Sequence, residues 1–337
     1  MESESRARTP RIADVAARAG VSLSTVSRVM NGNPTVDPAM AARVRKAAKA
    51  LNYRASPLAR SLVLGRTQTV SVVVPDLGNP AFHQILRGLS RAATQQGYHI
   101  LVADSAEDVN EERVMAVESR RRTDGLILCA PRMPQAELDA LLPELAPVVL
   151  INRESSLGVP TIVADYRVAL LELAEHLYGL GHRRFVYVAG VPSSSSNLSR
   201  LNAIGDFRRE HSDVVVSEVP GGVGFAEGAA AADAVLQTGA TAVIAFNDLV
   251  AMGLLRALEE RGAEVPADIS VAGFDDIPFA AYTSPPLTTS SVPTDDLGAQ
   301  AWQEMSSLLA GNSPRHPVYF RPRLQIRASS AAPPAEG

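Results

Sequence analysis

The chain has 337 residues, of which 46% are hydrophobic and 20% charged, with a formal net charge of −4. This length and composition indicate a globular protein of two or three domains. The chain contains no run of eighteen apolar residues and its first residues, MESESRAR, lack the apolar segment of a signal peptide, so we expect a cytoplasmic protein that does not contact the membrane.

The N-terminal segment differs in charge from the rest of the chain. Residues 1–66 contain 12 Lys and Arg against 4 Asp and Glu, a net charge of +8, whereas the remainder contains 20 against 32, a net charge of −12. This division favours nucleic-acid binding by the N-terminal segment alone. Residues 1–8 are polar with alternating charge, which predicts a disordered tail.

Residues 9–31, TPRIADVAARAGVSLSTVSRVMN, predict two short helices joined by a turn. Thr9 is expected as the N-cap of the first helix, with Pro10 at its first position. Gly20 tolerates the left-handed conformation that ends a helix. Apolar side chains recur at helical spacing on one face of each helix. They are Ile12, Val15, Ala16 and Ala19 in the first helix and Val26, Val29 and Met30 in the second.

The second helix has a polar outer face that could contact DNA. Ser22 is expected to cap this helix, with Val21 and Val26 forming a hydrophobic staple. Arg28 could donate two hydrogen bonds to guanine in a major groove, and Leu23 could contact a thymine methyl group. The candidate DNA-binding residues are Ser22, Leu23, Ser24, Thr25, Ser27, Arg28 and Asn31. The same pattern is compatible with an ordinary helical hairpin.

Two further helical segments follow. Asp37 and Pro38 predict the start of a third helix that runs to about Asn52. Its outer side carries basic residues that either face phosphates or are simply solvated: Arg43, Arg45, Lys46 and Lys49. Residues 56–66 form a linker with a possible short helix, which begins at Ser56-Pro57 and has Leu58 and Leu62 on one side. So short a helix is marginal in isolation, so we expect it to order only when another surface holds it.

The run IADVAARAGVSLSTVSRVMNGNPTVDPAMAARVRKAAKALNYRASPLARSL resembles the DNA-binding headpiece of the lactose/galactose repressor (LacI/GalR) family. The resemblance implies a helix-turn-helix headpiece over residues 9–55. It also implies a hinge helix over residues 56–66, in which Leu62 wedges open a base step in the minor groove of double-stranded operator DNA. A plain linker whose leucines dock on the core is the alternative. A two-fold homodimer is expected, because one small helix-turn-helix contacts too few base pairs for specificity.

From Thr67 onward, strand-like apolar runs alternate with helical stretches, which predicts parallel sheets with helices on both faces. The runs are VSVVVPD, HILVAD, GLILCA, PVVLIN, TIVAD, FVYVAG, DVVVSEV, TAVIAFN and ISVAGFDD. The resemblance implies a two-lobed α/β core over residues 67–327, like a type I periplasmic binding protein, whose chain crosses between the lobes three times. The N-lobe would comprise residues 67–163 and 294–319, and the C-lobe residues 164–293 and 320–327.

Polar residues stand where the apolar strands end, and ligands of such sheets bind beyond the carboxyl ends of the strands. By the resemblance, the candidate effector-binding residues are Phe82, Asn152, Arg200, Asn247 and Asp275. Asn79 also follows a strand, and Asp248 could be only a helix cap. The chain departs from the family pattern, with Val223 where an aromatic residue is common, and with an altered Arg-x-x-Gly motif that leaves Asn202 as an alternative to Arg200.

Signals of other chemistry are weak. Cys129, the single cysteine, lies in an apolar strand and is expected in the core. The six histidines lack ligand spacing, so no metal is expected. The glycines of residues 220–224 lack the Lys-Ser/Thr of a phosphate loop, and the serines of residues 193–196 lack the setting of a nucleophile. We therefore expect no cofactor and no enzyme activity.

The end of the chain is expected as a helix from Asp296 to Ala310, one strand over VYFRPRLQIR and a disordered tail over residues 328–337. No leucine heptad follows, so a coiled-coil tetramer is not expected. The sequence thus predicts a DNA-binding transcriptional repressor that is switched by a small molecule in the cleft between the lobes. Sugars or sugar derivatives are the expected class, with nucleobases a minority. The alternatives are a solute-binding protein of a transport system and a hydrolase or kinase on the same scaffold.

Overall fold

The structure, a computed structural model, describes residues 10–30, 35–53, 65–313 and 317–335. The chain divides into an N-terminal unit, Met1–Gln68, and a core unit, Thr69–Gly337. The expected tail at residues 1–8 and most of the expected hinge, including Leu62, lie outside the described residues, as does Asn31. Within the described ranges, no helix has the length and apolar character needed to span a bilayer.

The described residues of the N-terminal unit form three helices: α1 (Ile12–Ala19), α2 (Leu23–Met30) and α3 (Pro38–Ala50). Their inner faces form one small core, which confirms the predicted apolar stripes. Its buried members are Val15, Ala16, Ala19, Val26, Val29, Ala41, Val44, Ala47 and Ala48. Small side chains at these positions let three short helices pack closely, so the unit has a core of its own.

The ends of these helices are fixed by local hydrogen bonds. The expected start of α1 at Pro10 is wrong, because α1 begins at Ile12 and the backbone N–H of Arg11 donates to the Asp14 carboxylate at 2.7 Å. Gly20 ends α1 with φ 63°, as predicted. The Arg43 guanidinium, expected on an outer stripe, donates to the Ala19 carbonyl at 3.0 Å and so ties α3 to the end of α1.

The start of α3 is confirmed. Asp37 is the N-cap, and its carboxylate accepts a hydrogen bond from the backbone N–H of Met40 at 2.9 Å. Pro38 occupies the first helical position, where no backbone donor is needed.

The described residues of the core form two six-stranded sheets, which confirms the predicted α/β class. The first has the order β11-β5-β4-β3-β1-β2, and every neighbouring pair in it is parallel. Its strands are β1 (Thr69–Val74), β2 (His99–Asp104), β3 (Gly125–Cys129), β4 (Val148–Ile151), β5 (Thr161–Ala164) and β11 (Val318–Phe320). The helices of this lobe are α4 (Pro80–Gln95), α5 (Val109–Arg122), α6 (Gln135–Leu141) and α12 (Thr294–Leu309).

The second sheet has the order β12-β10-β9-β8-β6-β7, and only the β10-β12 pair is antiparallel. Its strands are β6 (Arg184–Ala189), β7 (Val215–Pro220), β8 (Ala242–Ala245), β9 (Ser270–Asp275), β10 (Thr288–Ser291) and β12 (Arg323–Gln325). The helices of this lobe are α7 (Tyr166–Gly179), α8 (Ser195–Glu210), α9 (Phe225–Ala230), α10 (Ala232–Gln237) and α11 (Asp248–Glu260), with a 3-10 turn at Ala280–Tyr282.

Helix α12 returns to the first lobe and packs directly on α4. A Cβ atom at Gly88 would lie 2.0 Å from the Asp295 carbonyl, and one at Gly298 would lie 2.0 Å from the Ile85 carbonyl. Glycine is therefore required at both positions for the two backbones to touch. The contact holds α12 on the first lobe, directly after the chain has passed between the lobes for the second of three times.

The expected single strand VYFRPRLQIR is wrong. It forms two strands in different sheets, and Pro322, which has no backbone N–H to donate, lies in the gap between them. Strand β11 is parallel to β5 in the first sheet, and β12 is antiparallel to β10 in the second. The third passage between the lobes thus lies within this segment.

The expected disorder from residue 328 onward is wrong for residues 328–335. Ser329 is fully buried and its backbone carbonyl accepts from the N–H of Val271 at 2.8 Å. Its hydroxyl donates to the Val271 carbonyl at 2.6 Å and accepts from the N–H of Thr288 at 2.8 Å. The segment is ordered because its backbone polar groups pair with β9 and β10, which composition alone does not reveal.

Candidate functional site

The outer face of α2 is the candidate DNA-binding surface. Ser22 caps this helix as predicted, since its hydroxyl accepts from the N–H of Thr25 at 3.2 Å. Leu23 is 52% exposed although it is a large apolar residue. Ser24 and Arg28 are also exposed, whereas Thr25 is half-buried. The face therefore offers an apolar group, hydroxyls and a cation to a ligand.

Ser27 and Arg28, two further residues of this face, differ in how much of the side chain is available to a ligand. Ser27 is half-buried, so it contributes less surface than its neighbours. The Arg28 guanidinium makes no hydrogen bond or ion pair with the part of the chain that the structure describes. Its donors are consequently available to an external acceptor such as a base edge or a phosphate.

All five candidate effector-binding residues line one cavity in the core, here called the interlobe cavity. Its free volume is small, about 40 Å3 of room for water-sized molecules, and the cavity is partly open to solvent. Phe82, Asn152, Arg200, Asn247 and Asp275 all contribute to its walls. They come from both lobes, at or just beyond the carboxyl ends of the strands or on the helices that follow, as expected for an α/β sheet.

Arg200 has the most unusual environment in this cavity. It lies on α8, is 1% exposed, and its Nε and Nη1 atoms have no hydrogen-bond partner in the described chain. The guanidinium carbon lies 4.2 Å from the ring centre of Tyr166, 4.8 Å from that of Phe246 and 4.2 Å from that of Phe274. Three rings thus hold a cation whose free donors require an acceptor.

The alternative of Asn202 in the place of Arg200 is excluded by the same helix. Asn202 is exposed and does not line the interlobe cavity, whereas Arg200, two residues earlier, does. The altered Arg-x-x-Gly motif therefore leaves the arginine in position.

Asp275 supplies an acidic group to the same cavity. It ends β9, is 8% exposed and has φ 99°. Burial raises the pKa of its carboxyl from 3.8 to about 6, and the nearby Arg200 charge opposes this shift. No hydrogen bond to the Asp275 carboxylate is made within the described residues. A cation with free donors and a carboxylate with free acceptors thus line one cavity.

The two amides at the cavity are largely engaged by the protein. Asn247 is the N-cap of α11, accepts from the N–H of Val250 at 2.8 Å and donates to the Val223 carbonyl at 2.8 Å. Asn152 accepts from the N–H of Ala164 at 2.9 Å. Each amide keeps part of its donor capacity for a ligand while it fixes the cavity wall.

The possibility that Asp248 is only a helix cap is wrong, because Asn247 has that role. The buried Asp248 carboxyl instead accepts from the N–H of Ile277 at 2.8 Å and from the Thr289 hydroxyl at 2.6 Å. Burial and the nearby Asp275 raise its pKa well above the usual value. Asp248 thus holds the turn that presents Asp275.

Sequence reasoning missed several charged or polar groups of the cavity wall, among them Glu107, Arg132 and Tyr166. Arg132 follows β3, is 4% exposed and makes two hydrogen bonds of 2.6 and 2.8 Å to Glu107. Tyr166 begins α7 and is also buried. Arg132 and Tyr166 both lie just beyond the end of a strand. The same position led to the prediction of Asn152, so it could have identified these two residues as well.

Left-handed backbone is concentrated at this cavity. Glu107, Ala130, Asn152 and Asp275 all line it and have positive φ angles between 46° and 99°. Such conformations are costly for residues other than glycine and cluster at functional sites. The strain here turns the chain at or shortly after the ends of β2, β3, β4 and β9, which belong to both sheets.

Comparisons with known proteins agree with this architecture. Residues 11–56 match the model for bacterial regulatory proteins of the lacI family, and residues 174–330 match that for a periplasmic binding protein-like domain. The HTH-type transcriptional regulator MalR of Streptomyces coelicolor is 32% identical over 342 residues, covering 97% of this chain and 98% of the relative. The chain belongs to the LacI family. It is a DNA-binding transcriptional regulator.

Solved structures support the same assignment. A lac repressor dimer bound to operator and the anti-inducer ONPF matches this regulator with a TM-score of 0.88 and 26% identity, covering 96% of this chain and all of the other. A complex of the transcriptional regulator CelR with cellobiose matches with a TM-score of 0.66 and 28% identity, covering 95% and 99%. The matched headpiece favours a transcriptional regulator over the alternative of a solute-binding protein of a transport system.

Proposed function

We propose that this regulator is a repressor in the cytoplasm whose operator affinity is switched by a sugar or sugar derivative bound in the interlobe cavity. The observation that carries the proposal is Arg200, a buried cation whose Nε and Nη1 donors are unpartnered beside the free carboxylate of Asp275. Ring and exocyclic hydroxyls accept from one group and donate to the other, so a polyol satisfies both. A nucleobase is the second candidate class.

The switch follows from the position of the cavity. Its walls come from both lobes, so a bound ligand contacts both and stabilises the lobe arrangement that it fits better. That preference is transmitted to operator binding through residues 56–66, the proposed hinge with Leu62. Whether the sugar releases or promotes operator binding depends on which arrangement it prefers.

The proposal includes a homodimer, because two headpieces are needed to bind a near-palindromic operator. Large apolar side chains exposed on the core support a second copy as partner, notably Phe225 at 50%, Phe279 at 54% and Tyr282 at 87%. We also propose that the cavity binds its ligand without converting it, since relatives of this chain are regulators.

Thermal shift and gel shift together test the proposal. An operator is first selected from random DNA with the purified protein, and sugars, polyols and nucleosides are then screened for a rise in melting temperature. At least one sugar is expected to stabilise the protein and to change operator affinity by about 5-fold or more. A sugar that stabilises the protein but leaves operator affinity unchanged would contradict the switch, and turnover of the ligand would contradict simple binding.

A further inference from the structure

Two carboxylates and one imidazole meet on the surface of the second lobe, where the C-terminal halves of α7 and α8 pack together. They belong to Glu175 on α7, to Glu210, the last residue of α8, and to His211, which follows that helix. One ligand atom of each side chain lies within 4.8 Å of the other two. We call these three residues the α7–α8 cluster. None of them lines the interlobe cavity.

The imidazole of this cluster is held in one orientation. The ring centre of His211 lies 4.1 Å from that of Tyr178 and 4.7 Å from that of Phe207. Its Nε2 atom lies 2.6 Å from Oε1 of Glu175, while the side chain is still 18% exposed. The packing thus aims one nitrogen at the cluster and leaves it within reach of a solute.

The two carboxylates of the cluster differ from the other carboxylates of α7 and α8 in having no arginine partner. Glu172 of α7 and Asp206 of α8 both form ion pairs with arginines. Within the described ranges, Glu175 pairs only with His211, and Glu210 makes no hydrogen bond or ion pair. When the imidazole is neutral, two negative charges therefore lie together at the end of α8, where the helix dipole is negative as well.

The arginine stacked beside the cluster does not compensate these charges. The guanidinium carbon of Arg183 lies 3.8 Å from the ring centre of Tyr178. Its Nε atom donates to Asp213 at 2.6 Å, and its Nη1 atom donates to the carbonyls of Tyr178 and His182 at 3.0 and 2.8 Å. A cation from solution is thus the group that can neutralise the two glutamates.

The donor set indicates which cation this is. Mg²⁺ and Ca²⁺ take oxygen ligands, whereas an imidazole nitrogen suits Zn²⁺ and related divalent metals. Bonds from Zn²⁺ to nitrogen and oxygen are about 2.1 Å, so two ligand atoms at a tetrahedral angle lie about 3.3 Å apart. The contact between His211 and Glu175 needs to lengthen by less than about 1 Å, and the Glu175 side chain is 47% exposed and can move.

We propose that Glu175, Glu210 and His211 bind one Zn²⁺ ion, with water in the fourth position. The ion takes the place of the proton between His211 and Glu175, and that proton is released to solvent. Zinc then crosslinks α7 to α8. The same two helices carry Tyr166 and Arg200 of the interlobe cavity, about 14 Å away along α7 and about 15 Å away along α8. The ion thus stabilises the helix pair that presents these two residues.

The expectation of no metal rested on the spacing of the histidines alone. In the α7–α8 cluster, two of the three ligands are glutamates, and Glu175 lies 36 positions from His211 in sequence. The packing of α7 on α8 brings them together, which histidine spacing does not reveal.

Isothermal titration calorimetry with ZnCl2 tests the proposal on the full chain, purified without a histidine tag and dialysed after treatment with a chelator. One Zn²⁺ per chain is expected, with a Kd of about 10 μM or tighter. Mg²⁺ and Ca²⁺ are expected to bind at least ~10-fold more weakly, because the imidazole does not suit them. Absence of Zn²⁺ binding would overturn the proposal, and so would equally tight binding of Mg²⁺ or Ca²⁺.

Two substitutions locate the ion. His211→Phe keeps an aromatic ring in the same packing and removes both nitrogens, and Glu210→Gln alters a side chain that has no partner in the described chain. Each is expected to weaken Zn²⁺ binding by at least ~10-fold. Glu172→Gln is the matched control, since it removes a surface carboxylate from α7 outside the cluster and should keep the affinity within about 3-fold of wild type. Wild-type affinity in Glu210→Gln would place the ion elsewhere and overturn the proposal.

The melting temperature gives a second readout that needs neither sugar nor operator. Zn²⁺ should raise it for wild type and Glu172→Gln, because an ion that binds only the folded chain stabilises it. The rise should be lost in His211→Phe and Glu210→Gln. If His211→Phe does not fold, as judged by circular dichroism, Glu210→Gln alone decides, and a full rise in that variant would contradict the site. These outcomes are the same whether or not the protein responds to a sugar.

Discussion

The Arg200 guanidinium lies 4.2 Å from the ring centre of Tyr166, and this contact packs α8 against the start of α7 at the ligand cavity. Both helices belong to the second lobe, and Tyr166 is the first residue of α7 after the chain passes from the first lobe. The aromatic contact compensates in part for the lost hydration of the cation, yet the Nε and Nη1 donors are left unpaired. The arginine is therefore placed for a ligand rather than for stability.

The first prediction concerns this charge. Arg200→Met retains an unbranched side chain among the aromatic rings and removes a buried charge, so the unliganded protein should unfold at the same or a higher temperature. Binding of the stabilising sugar should weaken at least ~10-fold, because each hydrogen bond to a charged group contributes about 1.5–3 kcal/mol. Differential scanning fluorimetry with and without the sugar measures both effects.

Arg167→Met is the matched control for that substitution. Arg167 is half-exposed and pairs with Asp206 on the surface, away from the cavity. The control variant should keep the full sugar-induced rise in melting temperature. The role of Arg200 is refuted if its own variant keeps that rise as well.

A second prediction follows from the raised pKa of Asp275. The pKa is about 6 in the folded protein against 3.8 for an ordinary aspartate, because burial disfavours the charged form. The folded state is thus favoured below about pH 4, and this contribution is lost as the pH rises through 6. The Asp275→Asn variant does not lose this contribution. Its unfolding free energy relative to wild type should therefore increase between pH 4.5 and 7.5 by about 2 kcal/mol.

Urea denaturation at the two pH values measures this difference. Asp233→Asn is a control without a pH-dependent difference in this range, since the exposed Asp233 pairs with Arg261 and its pKa is lowered below 3.8. Asp233 is therefore ionised at both pH values, and the difference in unfolding free energy between wild type and this variant should be the same at pH 4.5 and 7.5. A pH-independent difference for Asp275→Asn would contradict the burial argument.

Local signals made the headpiece predictable from sequence. The left-handed turn at Gly20 and the cap at Ser22 each involve residues only a few positions apart, so the pattern of residue types specifies them. The same holds for Asp37 and Pro38 at the start of α3. The prediction that α1 starts at Thr9-Pro10 was wrong. The Asp14 carboxylate accepts a hydrogen bond from the backbone N–H of Arg11, so Arg11 is the residue that precedes α1.

The cavity was predictable in outline because strand ends meet at one edge of a parallel sheet. That rule selected Asn152 and Asp275, but it could not reveal that Arg132 is held by Glu107, 25 residues away in sequence. Strand β10 was missed because Thr288–Ser291 contains no apolar residue, although three of its four residues are buried. Such features depend on contacts distant in sequence, which pattern reading does not detect.

The ordered end of the chain gives a third prediction. The Ser329 hydroxyl bridges Val271 and Thr288 inside the second lobe. Ser329→Ala leaves the buried N–H of Thr288 without its acceptor, which should lower the unfolding free energy by about 1–3 kcal/mol. Urea denaturation measures this, with Pro334→Ala at an exposed position as control. Equal stability of wild type and Ser329→Ala would show that the segment contributes nothing to the core.

The fourth prediction concerns operator specificity. Arg28 is exposed on α2 beside Leu23 and Ser24, and if it contacts a base edge, Arg28→Ala should weaken binding to the selected operator by about 1–3 kcal/mol. Binding to unrelated DNA should change much less. Arg45→Ala removes another exposed arginine, on α3. If Arg45 contacts a phosphate, its loss should weaken binding to the operator and to unrelated DNA by the same factor. Gel-shift titrations on both DNAs at one fixed salt concentration give the ratio of specific to non-specific affinity. That ratio should fall for Arg28→Ala and stay constant for Arg45→Ala, and an unchanged ratio for Arg28→Ala would assign Arg28 to the backbone instead.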